Sequence, residues 1–67
     1  MEAYQERLLV ERDTVEKNAK KLEDFIYESP IFQKLDKQRQ VLAIQQLTFM
    51  EGYYKTLNKR IKAEGIA

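Results

Sequence analysis

The sequence predicts an all-α protein, in which two long helices joined by a short helical connector fold back on each other as an antiparallel hairpin. The 67-residue chain contains only two glycines and one proline, which leaves little room for the turns that a sheet requires. Apolar residues recur three and four positions apart in both halves of the chain, which is the period of a helix. A chain of this length makes one domain, and we assign all of residues 1–67 to it.

The first helix is predicted over about residues 2–28, a stretch without glycine or proline. Its two neighbouring heptad columns consist of Met1, Leu8, Val15 and Leu22, and of Tyr4, Glu11, Asn18 and Phe25. Glu11 and Asn18 are polar residues in an otherwise apolar column, and a buried carboxylate without a partner is costly. There are three explanations for them. They set the register between helices, they turn to the surface, or they face a water-filled cavity or ligand pocket between protomers. We favour one of the first two explanations.

The dipeptide Ser29-Pro30 ends the first helix, because a proline disfavours the helical conformation in the residue before it. The same two residues suit the cap and the first position of a new helical turn, within a connector predicted over about residues 29–36. Asp36 is expected to cap the second long helix, over about residues 37–64. Two long helices joined by a short link favour an antiparallel hairpin.

The second helix has an apolar seam with spacings of four and three, made of Ala43, Leu47, Met50, Tyr54, Leu57 and Ile61. Gly65 stands where a C-terminal cap is expected. Gly52 lies in the helix interior, where a glycine costs about 1 kcal/mol relative to alanine. This glycine is either simply tolerated or permits the close approach of another backbone or of a ligand.

Charges of opposite sign are expected to lie side by side at the open end of the hairpin. The acidic set is Glu2, Glu6, Glu11 and Asp13, and the basic set is Lys55, Lys59, Arg60 and Lys62. Pairing along the hairpin would give the basic cluster a purely structural role. Exposed ion pairs of this kind stabilise by only about 0–1 kcal/mol each.

Both helices carry apolar residues away from their main seams, namely Leu9, Val10, Val41, Leu42, Ile44, Phe49 and Tyr53. A helix that is apolar on two faces needs two neighbours, and a chain this short usually needs a disulfide, a metal or a partner chain for stability. We therefore expect the hairpins to assemble into a homo-oligomeric helical bundle with closed symmetry.

The composition argues against several classes of function. The chain has no cysteine, and no histidine to act as a general base or as the commonest transition-metal ligand. We therefore expect no enzyme, no metal and no cofactor. The 12 basic and 11 acidic residues leave a net charge of +1, unlike the basic excess of proteins that bind long nucleic acid. We find no signal peptide and no apolar run of transmembrane length, so we expect a soluble intracellular protein without a membrane partner.

Tyrosines near basic residues suggest a binding role, because a tyrosine ring can stack on a base and a lysine or arginine can hold a phosphate. The candidate ligand-binding residues are Tyr4, Arg7, Lys20, Lys21, Tyr53 and Arg60. Each also has a structural explanation. Tyr4 lies on an apolar seam, Arg60 can cover the ring of Tyr53 by a cation–π contact, and the lysines with Lys17 can form a solvated face.

Three stretches resemble a family of small phage proteins, and together they span nearly the whole chain. They are Tyr4-Gln5-Glu6-Arg7, Lys21-Leu22 followed by Phe25-Ile26, and the run of Gln46-Leu47, Met50, Tyr53, Leu57 and Arg60-Ile61. The family is that of the type 2 anti-CBASS proteins. CBASS is a bacterial immune system that signals infection with cyclic oligonucleotides, and these proteins bind the messenger without cleaving it.

The resemblance implies a hexamer of helical hairpins in the cytoplasm of the host bacterium. Cyclic dinucleotides would bind in pockets between protomers and cyclic trinucleotides at separate sites. Tyr4 matches a tyrosine expected to stack on a base, and Arg60 matches an arginine of the second helix expected to hold phosphate at the trinucleotide site. Asn18 and Ala19 stand where the family's helix 1 lysine is expected, which leaves Lys20 and Lys21 as the nearest candidates. The alternative function is a helical interaction module that inhibits a host protein by direct binding.

Overall fold

The computed structural model describes residues 1–66. It contains three helices, α1 over Ala3–Glu28, α2 over Pro30–Lys34 and α3 over Lys37–Glu64, and these 66 residues include no strand. The long helices α1 and α3 pack against each other along a rod of 46 × 15 × 14 Å. The predicted all-helical hairpin with a short helical connector is therefore confirmed.

Local hydrogen bonds set the ends of the helices. At the start of α1, the backbone N–H of Glu2 donates to Oε1 of Gln5 at 3.0 Å. The α1 helix stops at Ser29, which has an extended backbone with ψ of 127° as expected before a proline. The hydroxyl of Ser29 accepts a hydrogen bond from the backbone N–H of Ile31 at 3.1 Å, which begins α2. One serine thus ends one helix and caps the next.

The second long helix has the predicted caps at both ends. Asp36 accepts a hydrogen bond from the backbone N–H of Arg39 at 2.9 Å. Gly65 ends α3 in the left-handed conformation, with φ of 71°, which a glycine adopts without steric cost. At the closed end of the hairpin, the rings of Phe25 and Phe32 meet edge to face with their centroids 5.8 Å apart. This contact holds α2 against the end of α1.

The core is a single row of aliphatic side chains between α1 and α3, formed by Leu8, Val15, Leu57 and Ile61. Leu57 is 1% exposed and Ile61 is fully buried. The predicted seam of α3 is confirmed, because each of its residues is buried or half-buried. Along α1 the prediction is only partly right, because Met1 is exposed.

The second heptad column of α1 points mainly away from the core. Tyr4, Glu11 and Asn18 are exposed, and only Phe25 is half-buried. The column turns outward because Leu8 and Val15, about 40° away on the helix, take the contact with α3. Within one chain, rotation to the surface therefore explains why Glu11 and Asn18 are polar.

The expected ion pairs between the two long helices do not form among residues 1–66. The ion pairs there are local, joining Arg12 to Asp13, Lys20 to Glu23 and Asp24, and Arg39 to Asp36. The polar contacts between α1 and α3 instead pair a charged side chain with a neutral one, as in the bond from Arg12 to the amide oxygen of Asn58 at 3.4 Å. Charge pairing along the hairpin is therefore wrong as an explanation of the basic end of α3.

Much apolar surface remains open to solvent. The large exposed apolar side chains are Met1, Tyr4, Val10, Tyr27, Ile31, Val41, Leu42, Ile44, Phe49 and Tyr53. Within the described part of the chain, no helix is both long and apolar enough to span a membrane. The same residues contain no group of three or more histidine, cysteine or acidic side chains placed to hold a metal ion.

Candidate ligand-binding site

Three side chains from the two ends of the chain meet at the open end of the hairpin. The hydroxyl of Tyr4 donates a hydrogen bond to Oε1 of Glu64 at 2.6 Å, and Nε2 of Gln5 donates to the same oxygen at 3.0 Å. Arg60 lies one helical turn before Glu64 on α3. We call Tyr4, Gln5, Arg60 and Glu64 the open-end cluster. It exists because antiparallel packing brings the start of α1 beside the end of α3.

Electrostatics in the open-end cluster favour a neutral tyrosine beside an ionised glutamate. The hydrogen bond to Glu64, followed by desolvation and the negative charge of that carboxylate, raises the pKa of Tyr4. The hydrogen bonds from Tyr4 and Gln5, followed by the positive charge of Arg60, lower the pKa of Glu64. Near neutral pH two neutral donors therefore bind one carboxylate oxygen of Glu64, while the positive charge of Arg60 acts on it without forming an ion pair.

The aromatic and basic members of the cluster are accessible to a ligand. Tyr4 is 47% exposed, so its place on an apolar seam does not make it a core residue, whereas Tyr54 packs against the core. Arg60 is exposed and takes part in none of the ion pairs formed among residues 1–66. A tyrosine face can stack on a nucleobase, and a guanidinium can bind a phosphate in a bidentate way.

Tyr53 lies on the same side of α3 as Arg60. The two residues are seven positions apart, which returns to nearly the same face of an α-helix about 10 Å along its axis. Tyr53 is also exposed. Tyr4, Tyr53 and Arg60 are therefore surface residues in the half of the hairpin nearest its open end.

Lys20 lies in a different place, in a groove on one side of the hairpin with a volume of about 330 Å³. The groove is lined by Glu16, Ala19, Lys20, Glu23, Leu47, Glu51, Tyr54 and Lys55. The ammonium of Lys20 is 3.3 Å from a carboxylate oxygen of Asp24 and 3.8 Å from one of Glu23. The hydrogen bond to Asp24, with the charges of both acids, raises the pKa of Lys20. A phosphate would have to compete with these two carboxylates.

The structure does not bring Lys20 and Tyr4 together within one chain. They are 16 residues apart on a single helix, or about 24 Å along its axis. Arg7 is exposed on the outer surface of α1 beside Ala3 and Val10. Lys21 is exposed as well. A site that uses Tyr4 together with Lys20 or Lys21 would therefore need residues from more than one copy.

Two members of the open-end cluster, Gln5 and Glu64, are not among the ligand-binding residues predicted from the sequence. Gln5 belongs to the Tyr4-Gln5-Glu6-Arg7 stretch, which could have pointed to it. Glu64 is the last residue of α3, and only the exact alignment of the two helices places its carboxylate beside Tyr4.

The fold and the cluster define a small helical-hairpin protein with an exposed aromatic and basic site at its open end. The chain belongs to the Sequestin family, whose family model matches residues 2–63. This match spans α1, α2 and nearly all of α3, including Tyr4 and Arg60, and the family's name indicates sequestration. Searches of curated proteins and of solved structures gave no significant match.

Proposed function

We propose that the protein binds cyclic oligonucleotide second messengers and sequesters them without cleaving them. Such binding in the cytoplasm of an infected bacterium would keep cyclic di- or trinucleotides from CBASS effectors. The observation that carries this proposal is the open-end cluster of a Sequestin chain, in which an exposed tyrosine bonds to Glu64 and the exposed Arg60 lies one helical turn before that glutamate. The resemblance to the type 2 anti-CBASS proteins supplies the class of ligand.

One open-end cluster is too weak to act as a sequestering site alone. A stacked base contributes about 1–3 kcal/mol, and a charge-assisted bond to a phosphate contributes about 1.5–3 kcal/mol. Their sum, roughly 2.5–6 kcal/mol, is comparable to the free energy of association at millimolar affinity before ordering costs are subtracted. Tight binding therefore requires residues of several copies around one ligand.

The exposed surface of the chain supports assembly into an oligomer. A monomeric protein of 8.0 kDa is expected to expose about 4,450 Å², whereas this chain exposes 5299 Å². The excess of roughly 850 Å² is close to the area that one partner buries in a standard protein interface, about 800 Å². We propose a homo-oligomer, and the family resemblance suggests a hexamer.

A stripe along α3 is the best candidate for the surface shared between copies. Leu42, Phe49 and Tyr53 lie seven and four positions apart, so they share one side of the helix, and Arg60 continues that side toward the open end. Phe49 is 68% exposed. An interface on this stripe would place the open-end cluster at the boundary between protomers, where a symmetric ligand could contact the same residues of two copies.

Native mass spectrometry with a panel of cyclic di- and trinucleotides tests the proposal. We expect the protein to gain the mass of the ligand and to release it unchanged on denaturation. Tyr4→Ala and Arg60→Ala should each weaken the uptake of at least one ligand class by about tenfold or more. Tyr27→Ala and Arg39→Ala are the matched controls, because both residues are exposed and lie outside the open-end cluster.

The alternative function is an interaction module that inhibits a host protein. The exposed apolar side chains of α3 favour it, because an unpartnered helix face can also bind a foreign protein. A folded protein that takes up no member of the panel would contradict sequestration and favour this alternative.

A further inference from the structure

The open-end cluster has the composition of an anion-binding site that is already filled. The Tyr4 hydroxyl and the Gln5 amide donate to a single oxygen of Glu64, and the charge of Arg60 acts on the same carboxylate. Glu64 is exposed, so water could solvate its carboxylate if these donors were withdrawn. The bond to Tyr4 is nevertheless short, at 2.6 Å, as is typical of a hydrogen bond to an ionised acceptor.

We propose that Glu64 is an internal competitor, a tethered carboxylate that occupies the Tyr4 and Gln5 donors of the open-end cluster until a phosphate of the ligand displaces it. The identity of that ligand rests on the proposed function. A phosphodiester oxygen accepts hydrogen bonds from the same hydroxyl, amide and guanidinium groups as a carboxylate oxygen does. The Tyr4 hydroxyl has one proton and cannot donate to both anions at once, and the two like charges repel each other.

Competition by Glu64 sets the affinity and the selectivity of the site. The carboxylate is attached at the last turn of α3 and needs only a change of side-chain rotamer to leave the donors. A ligand, by contrast, must diffuse to the site and overcome the repulsion of the Glu64 charge. A monoanion that offers no base to stack on Tyr4 would then bind too weakly to displace Glu64. A cyclic oligonucleotide would displace it, because stacking of its bases adds to the binding free energy. Glu64 therefore acts as a specificity-determining residue and not as a ligand contact.

The charge-neutral variant Glu64→Gln isolates this effect. At separations of about 5–7 Å in a well-solvated site, removal of one negative charge should tighten the binding of a phosphate group by about three- to tenfold. The gain should shrink in 0.5 M salt, where the screening length falls to roughly 4 Å. Glu28→Gln is the control, because it removes one exposed carboxylate from the other end of the hairpin.

Two measurements separate this inference from the proposed function. In the first, inorganic phosphate is titrated into each protein while NMR follows the side-chain N–H signals of Gln5 and Arg60. We expect these signals to shift in Glu64→Gln at a phosphate concentration several-fold lower than in the wild type and in Glu28→Gln. Equal responses in all three proteins would overturn the role of Glu64.

In the second measurement, calorimetry compares the binding of a cyclic dinucleotide and a cyclic trinucleotide to the same three proteins. Tighter binding of at least one ligand by Glu64→Gln alone supports the inference, and equal or weaker binding overturns it. If neither ligand binds any of the three proteins but phosphate behaves as expected, Glu64 remains an internal competitor and the proposed function fails.

Discussion

The hydrogen bond between Tyr4 and Glu64 joins the first turn of α1 to the last turn of α3, although 60 residues separate the two side chains. Tyr4 contributes a donor through its hydroxyl and a flat surface through its ring. Because only the hydroxyl is held by Glu64, the ring remains free to stack on a ligand. One residue can therefore both close the hairpin and bind a base.

This bond makes the open-end cluster sensitive to pH. The pKa of Glu64 is lowered in the folded protein, so its contribution to stability is present above its ordinary pKa of 4.5 and is lost as pH falls through the lowered value. The pKa of Tyr4 is raised, so its contribution is present below 10.0 and is lost as pH rises through the raised value. Between these limits the cluster should be intact.

We predict that Tyr4→Phe returns the pKa of Glu64 toward its ordinary value, because the largest cause of its lowering is removed. An NMR titration of the side-chain carboxyl carbons measures this shift directly. Tyr27→Phe serves as the control, because Tyr27 is an exposed tyrosine near the other end of α1. An unchanged Glu64 titration in Tyr4→Phe would show that the hydrogen bond does not persist in solution.

At the scale of the helix, the two glycines differ in whether their positions tolerate a side chain. A methyl group added to Gly52 would meet no atom within 4 Å, and its position is interior to α3. Gly65 has φ of 71° at the C-terminal cap, where any other residue is strained. No other described part of the chain therefore approaches Gly52 closely, and approach by another copy or by a ligand stays a prediction.

We predict that Gly52→Ala raises the free energy of unfolding by about 0.5–1 kcal/mol, whereas Gly65→Ala lowers it by about 1–2 kcal/mol. Urea unfolding followed by circular dichroism at a fixed protein concentration compares the two variants with the wild type. Loss of stability in Gly52→Ala would instead indicate that another copy or a ligand approaches the backbone there.

At the scale of the whole molecule, the thin core favours the proposed assembly. The core between α1 and α3 is one row of side chains, and a chain of about 60–70 residues gains only a few kcal/mol from such a core. The open stripe of α3 offers the additional apolar burial that would stabilise the fold. Folding and assembly should therefore be coupled, with stability rising as protein concentration rises.

We predict that Phe49→Asp lowers the mass of the assembly measured by analytical ultracentrifugation. Loss of one buried phenylalanine costs about 1.5–3 kcal/mol per copy, and a carboxylate in its place adds the cost of burying a charge. Gln33→Asp, at another exposed position, provides the control. An equal mass for Phe49→Asp and the wild type would exclude this stripe as an interface between copies.

Local sequence is enough to predict where the helices begin and end. Pro30, Asp36 and Gly65 act on neighbouring backbone groups, through a fixed φ, a capping carboxylate and a left-handed conformation. Such effects depend on two or three adjacent residues, so they can be predicted without any knowledge of the fold. The apolar seam of α3 was equally predictable, because its core residues form one regular column.

Which column of α1 faces α3, and thereby which residues meet at the open end, depends instead on how the two helices pack. Leu8 and Tyr4 belong to neighbouring columns that both carry apolar residues, and a rotation of about 40° exchanges them. Contacts of Leu8 and Val15 with Leu57 and Ile61 select one rotation. That choice exposes Tyr4 and brings Glu64 to it, because the meeting of side chains 60 residues apart depends on the packing of two helices and not on local sequence.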